Sequence, residues 1–382
     1  MAIGQVTETK VFLFGTLRYD PLLRLVAGRS LSCVSASLPG ARCDRAAFGD
    51  WPVLVGHAQG QAEGLLLACD PETLARLDAY EAVFGYHRHD VAAVTENGTV
   101  AAQVWRPDHD DPGSGVPWSL AHWVETWGPV TVQAAGDILR QLAHRTPSDI
   151  GRVVHVIRSR ADAELRSRAW RRPGLVGRGF AADDVEIVER RHPYDGFFSV
   201  EEVTARFRRF DGADRSEVLR AVFRVTDAAT VLPYDPVRDR ILLVEQVRFG
   251  PLAQGDPSPW LLEPVAGFID AGESPETSAR REAAEEAGLA IEELHFVSRY
   301  YPSPGGVSQV LFSYVGIADL PDEAAGLGGH AEEHEDILGH VIGFDRAMEL
   351  MEAGDLVNAP AIISLQWLAM HRHRLRAAAG LS

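Results

Sequence analysis

Residues 267–289 read GFIDAGESPETSARREAAEEAGL, and the spacing inside this stretch decides the reading of the chain around it. Ser274 is a good helix N-cap, Pro275 suits a first helical position, and Gly288 is a natural C-terminal stop. The spacing between them predicts a helix of about three and a half turns. Glu282, Glu285 and Glu286 stand three and four residues apart, so the three carboxylates share one face near the helix end. Like charges so placed repel, and they meet the negative end of the helix dipole. A stable fold keeps such a cluster when a cation compensates it, and hard ions such as Mg²⁺ take carboxylate oxygens together with phosphate oxygens. The bland alternative is a solvated acidic face. Seven fixed positions, each at roughly 5–10% usage, make a chance match on the order of 10⁻⁸ per start point and argue against it.

Those positions (Gly267, Glu273, Arg281, Glu282, Glu285, Glu286 and Gly288) make up the Nudix box, and the stretch resembles the Nudix hydrolase family. The segments around it run from YDGFFS at 194 through VLPYDPVRD, VEQVRFG, PWLLEPVAG, YYPSPGG and EEHEDI to NAPAIISLQWL, which ends at 368. They are similar to the bacterial ADP-ribose pyrophosphatase subgroup. The resemblance implies an α/β/α sandwich over 185–382, a Mg²⁺ cofactor with Mn²⁺ as an alternative, and hydrolysis of ADP-ribose to AMP and ribose 5-phosphate. It further implies Glu282 and Glu286 as direct metal ligands, Glu285 sharing or bridging, and the carbonyl of Ala266 as a backbone ligand. Arg281 then orients the glutamates. The general base comes from the acidic loop 331–336, with Glu333 as first choice and Glu335 as second. Arg220 and Arg248 match arginines that hold phosphates or the terminal ribose, a task suited to the bidentate guanidinium. Phe197 or Phe198 matches an adenine-stacking position, and an apolar core role is equally open for either. Gln309 stands where the subgroup has a glutamate, which leaves another nucleoside diphosphate derivative open as substrate. Members of the subgroup are homodimers with swapped N-terminal strands, so a homodimer through this domain is implied.

At the other end, residues 10–14 (KVFLF) read as a strand that runs into Gly15-Thr16-Leu17-Arg18, and Asp20 opens a helix. A strand at 62–69, a helix from Pro71 into LDAYE, and a strand from Tyr86 follow. This layout resembles the gamma-glutamylcyclotransferase-like (AIG2-like) family, which implies a small mixed β-barrel. By that resemblance the backbone amides of Gly15, Thr16 and Leu17 hold a substrate carboxylate, and Glu81 is the general acid/base. Phe14 stands where the family usually has tyrosine. Fold does not establish chemistry, so Glu81 also reads as a surface or capping carboxylate. The whole is a mixed α/β (α+β) chain: residues 1–125 AIG2-like, 126–184 a helical, arginine-rich linker, and 185–382 the Nudix domain. The fused layout is similar to a cytosolic group associated with tellurite resistance.

Composition narrows the partners. The formal charge of −17, from 37 basic and 54 acidic residues, argues against a nucleic-acid surface. Lys10 is the sole lysine, so cationic contacts to phosphate fall to arginine. Cys33, Cys43 and Cys69 show no metal spacing and read as reduced buried thiols. No basic leader and no run of 18 apolar residues is present, so the expectation is a cytoplasmic protein without a membrane partner. Two other readings stand beside diphosphate hydrolysis. The N-terminal domain is a gamma-glutamyl cyclotransferase, or the chain is a nucleotide sensor, which the intact glutamates disfavour.

Overall fold

The computed structural model describes residues 8–107, 111–172, 174, 176–213, 216–329 and 335–380. The chain divides into two units, one of residues 1–172 with 195–197, the other of residues 173–194 with 198–382.

The first unit contains β1 (Thr9–Leu13), α1 (Asp20–Ala27), β2 (Cys33–Arg45), β3 (Pro52–Cys69), α2 (Pro71–Ala82), β4 (Tyr86–Thr95), β5 (Gly98–Pro107), α3 (Leu120–Leu142), α4 (Pro147–Gly151) and α5 (Val154–Ala169). Its five strands close into a barrel in the order β1-β3-β2-β4-β5. Phe12, Phe14, Leu38, Leu66 and Val104 fill it, so the ring that replaces the family tyrosine is a core side chain. Residues 126–172 of the arginine-rich stretch group with the first unit, and 173–184 with the second. Trp123, Val130, Ala134 and Ile138 make a buried stripe along α3, and Val156, Ile157, Ala161 and Ala163 are buried on α5. Arg166 and Arg168 pair with Asp162 and Glu164 one turn back. Apolar burial of those stripes, not charge, decides where the helices go.

The second unit contains β6 (Val185–Asp195), β7 (Ser199–Phe207), β8 (Glu217–Arg224), β9 (Ala228–Asp235), β10 (Arg240–Val247), α6 (Phe249–Gln254), β11 (Trp260–Glu263), β12 (Val265–Phe268), α7 (Pro275–Ala287), β13 (Glu293–Tyr300), β14 (Leu311–Ile317), β15 (Gly326–Gly328), β16 (Ile337–Gly343), α8 (Phe344–Ala353) and α9 (Ala359–Ala378). The main sheet runs β13-β14-β9-β10-β16-β15, with β11 on β10 and β12 on β9. Alternation along its strands supplies both faces. Ala229, Val231, Leu242, Val244 and Tyr314 pack with Ala279 and Ala283 of α7. Leu232, Tyr234, Ile241, Leu243 and Val315 pack with α8 and α9 through Phe344, Leu365 and Leu368. The result is an α/β/α sandwich in which every residue of β9 is buried. β6, β7 and β8 form a separate three-stranded sheet.

Candidate active site

Helix α7 starts and stops where its chemistry directs. The Ser274 side chain accepts from the Thr277 N–H at 3.1 Å, and Gly288 closes the helix with φ 62°. Ala279 and Ala283 turn inward, which leaves Glu282 and Glu285 on the other side and Glu286 at the edge of the core, 3% exposed. β12 runs beside this end of the helix. The Ala266 N–H donates to Glu286 Oε2 at 3.1 Å. A Cβ at residue 267 would overlap the Glu282 carboxylate, so any larger residue there displaces that flexible group.

Arg281 binds the cluster together. Its Nε and Nη2 donate to the two oxygens of Glu273, both at 3.0 Å. Its Nη1 reaches Glu282 Oε1 at 2.7 Å and Glu285 Oε2 at 2.9 Å. Nη2 also donates to the Phe268 carbonyl at 3.0 Å, which ties the helix to β12. Burial nonetheless dominates the carboxyls. It pushes Glu282 up to about 7, against the pull of Arg281, and Glu286 up to about 8, against the Ala266 N–H. Glu335 acts on both through its charge, so it belongs to the same acidic neighbourhood. Glu333, like the rest of 330–334, lies outside the described residues.

The donor chemistry fits a hard divalent cation. Three carboxylates within one turn, two of them resisting ionisation through burial, want a positive charge brought to them. Among the described residues no group of three His, Cys, Asp or Glu side chains is gathered closely enough to hold a metal ion as it stands, and Arg281 occupies Glu282 and Glu285.

Next to the cluster, Arg248 is paired with the buried Glu263 (Nη2 to Oε2, 2.6 Å), and its charge acts on Glu286. Glu263 also accepts from Asn358 Nδ2 at 2.9 Å. Neither Glu263 nor Asn358 stands out in the sequence as a site residue. Their signals are a lone acid in the apolar run WLLEPVAG and an asparagine that opens a helix. Gln309 donates from Nε2 to the Thr226 carbonyl at 3.1 Å, so a glutamate there would oppose that carbonyl. The other expected contacts are not joined to the box by any hydrogen bond or ion pair described. Arg220 is exposed on β8 and donates to its neighbour's carbonyl, that of Leu219. Phe198 packs on Phe223, ring centres 4.7 Å apart. Phe197 is 43% exposed and groups with the first unit.

In the first unit, residues 16–18 form a single 3-10 turn. A Cβ at Gly15 would stand 2.7 Å from Pro52 Cγ, and Leu17 is buried in the core. Glu81 lies in the last turn of α2. Burial, then the charge of Asp78, pushes it up to about 8. Among the described residues no hydrogen bond or ion pair joins Glu81 to Gly15, Thr16 or Leu17.

Comparison with known proteins agrees with this geometry. Residues 224–360 match the NUDIX domain model, and residues 11–124 match the model for gamma-glutamyl cyclotransferase, AIG2-like. The ADP-ribose pyrophosphatase of Escherichia coli is 44% identical over 197 residues, 52% of this chain and 93% of its own. That of Haemophilus influenzae is 36% identical over 209 residues, 54% of this chain and 96% of its own. A GDP-mannose pyrophosphatase of Enterobacter is 32% identical over 187 residues, 48% of this chain and 94% of its own. With the NUDIX model matched and nearly the whole length of these relatives covered, the chain belongs to the Nudix hydrolases, with an AIG2-like domain ahead of the hydrolase domain.

Proposed function

We propose that the second unit hydrolyses the diphosphate of ADP-ribose to AMP and ribose 5-phosphate, with Mg²⁺ (or Mn²⁺) as cofactor. The observation that carries this is the pair Glu282 and Glu285 held by Arg281 near the end of α7, with the buried Glu286 on the Ala266 N–H and within reach of the Arg248 charge. Glu282, Glu285, Glu286 and the carbonyl of Ala266 would hold the cation, which when bound neutralises the diphosphate and orients water. Arg281 fixes the glutamates. Arg248 and Arg220 contact substrate anions, and Phe197 or Phe198 stacks on the base. Glu333 or Glu335 takes the proton from the attacking water, and the charge of Glu335 felt at the box supports the latter. The relatives at 44% and 36% identity act, by name, on ADP-ribose, and one at 32% on GDP-mannose. A substrate panel of ADP-ribose, other nucleoside diphosphate sugars, NADH and diadenosine polyphosphates decides the preference. ADP-ribose should give the highest kcat/KM, and a better turnover of GDP-mannose would reassign the substrate.

The same reading makes the protein a homodimer in the cytoplasm. Nearly all of β6 and most of β8 are exposed, with Val185 and Ile187 on one face of β6 and Leu219 open on β8, apolar side chains that a second copy would cover. No helix among the described residues is long and apolar enough to cross a membrane. A second reading concerns the first unit. The raised Glu81 carboxyl suits proton transfer at neutral pH, which favours gamma-glutamyl cyclotransferase chemistry. Release of 5-oxoproline from gamma-glutamyl compounds, lost in Glu81→Gln, supports it; no release across such a panel leaves a binding or structural module.

A further inference from the structure

Asn358 uses both ends of its amide. Its Oδ1 accepts from the Ala361 N–H at 3.0 Å and caps α9. Its Nδ2 donates to Glu263 Oε1 at 2.9 Å. The helix N-terminus claims the oxygen, so the NH₂ must face β11. Glu263 closes β11 and is 5% exposed. Its other oxygen, Oε2, accepts from Arg248 Nε at 2.8 Å and pairs with Nη2 at 2.6 Å. Each carboxylate oxygen is thus held by a different element, and the guanidinium is pinned through two of its three nitrogens. Arg248 Nη1 makes no hydrogen bond among the described residues, and the guanidinium charge reaches Glu286 of the box.

We propose that Glu263 and Asn358 are positioning residues: the cap of α9, through the Glu263 carboxylate, holds Arg248 with its free nitrogen ready for the anionic substrate. This rests on the reading of Arg248 as a diphosphate contact. Neither Glu263 nor Asn358 touches substrate. A long side chain ordered before binding loses less freedom when the substrate arrives. Its loosening therefore weakens substrate binding and leaves the chemical step in place, so the effect falls on KM.

The variant that separates capping from positioning is Asn358→Asp, because aspartate caps a helix as well as asparagine does. It replaces the donor to Glu263 with a second carboxylate. In the full chain, with ADP-ribose and Mg²⁺, its KM should rise about tenfold, the scale of one lost charged hydrogen bond, with kcat little changed and Tm lowered because the new carboxylate faces the buried Glu263. Asn358→Ser keeps a capping oxygen without the added charge and should raise KM less. It carries the test if the aspartate variant unfolds. Arg248→Ala should raise KM at least as much, and Asn358→Asp should then add nothing to it. An unchanged KM in both Asn358 variants, with a raised one in Arg248→Ala, overturns the positioning role and leaves Arg248 at the substrate. Full additivity of Asn358→Asp and Arg248→Ala overturns it too. An unchanged KM in Arg248→Ala removes Arg248 from the substrate, and the proposal falls with that reading.

Discussion

Gly267 is where backbone shape and chemistry meet most tightly. The Glu282 carboxylate occupies the space a side chain at 267 would need. Gly267→Ala must therefore push Glu282 out of its bond to Arg281. The clash falls on the end of a flexible side chain, so the variant should lose about 1 kcal/mol of stability or less, the low end for overpacking. Its turnover should fall much further than its stability if the displaced Glu282 is, as proposed, a ligand of the cation. Thermal unfolding and kcat on the same sample check both halves. Glu81 offers a test of the other unit. Its carboxyl stands at about 8 when folded, against an ordinary value of 4.5. The folded state therefore holds its proton more tightly than the unfolded chain does. The stability linked to it is present below the unfolded value and is lost as pH rises towards the folded value. Glu81→Gln cannot ionise, so it should stabilise the protein relative to wild type more at pH 8 than at pH 5. Urea unfolding at both pH values measures this.

Helix α7 shows what local sequence can and cannot carry. Its start depends on Ser274, whose hydroxyl takes the Thr277 N–H. Ser274→Ala should cost about 1 kcal/mol, recovered by Ser274→Asp, measured by denaturant unfolding of the second unit. Cap, stop and three-and-four spacing all lie within one element, so this helix and its acidic face were readable from the chain alone. The Arg248–Glu263–Asn358 arrangement was not. Its members stand 15 and 95 residues apart and belong to three elements, and no local rule links them. In α3 and α5 the buried Trp123, Ile138 and Ile157 decide the packing, and arginine content alone does not reveal that face. The Gly15–Leu17 turn and Glu81 were found as elements, but no described bond brings them together.

At the scale of the molecule, each unit carries its own core: the filled barrel in one, the two faces of the main sheet in the other. In the sheet β6-β7-β8, most described residues of β6 and β8 are exposed, while β7 is mostly buried to half-buried, with Ala205 at 8% exposure. On the homodimer reading, wild type should have the mass of a dimer and Leu219→Glu that of a monomer, read by light scattering after size-exclusion chromatography; a variant that stays dimeric would move the interface elsewhere, and a monomeric wild type would overturn the reading. The formal charge of −17 and the near absence of lysine leave arginine as the cationic side chain that an anionic substrate can meet, the role proposed for Arg248.

The central claim is that the buried end of α7 drives diphosphate cleavage. Its most direct test compares wild type with Glu286→Gln on ADP-ribose and Mg²⁺, with AMP and ribose 5-phosphate quantified. Glutamine keeps the shape and can still accept from the Ala266 N–H, so folding should persist, confirmed by an unchanged Tm. Wild type should release the two products in equal amounts and lose that activity on chelation, while Glu286→Gln should be slower by about two orders of magnitude or more. Turnover of the variant at the wild-type rate, or no cleavage of ADP-ribose by the wild type, would contradict the account.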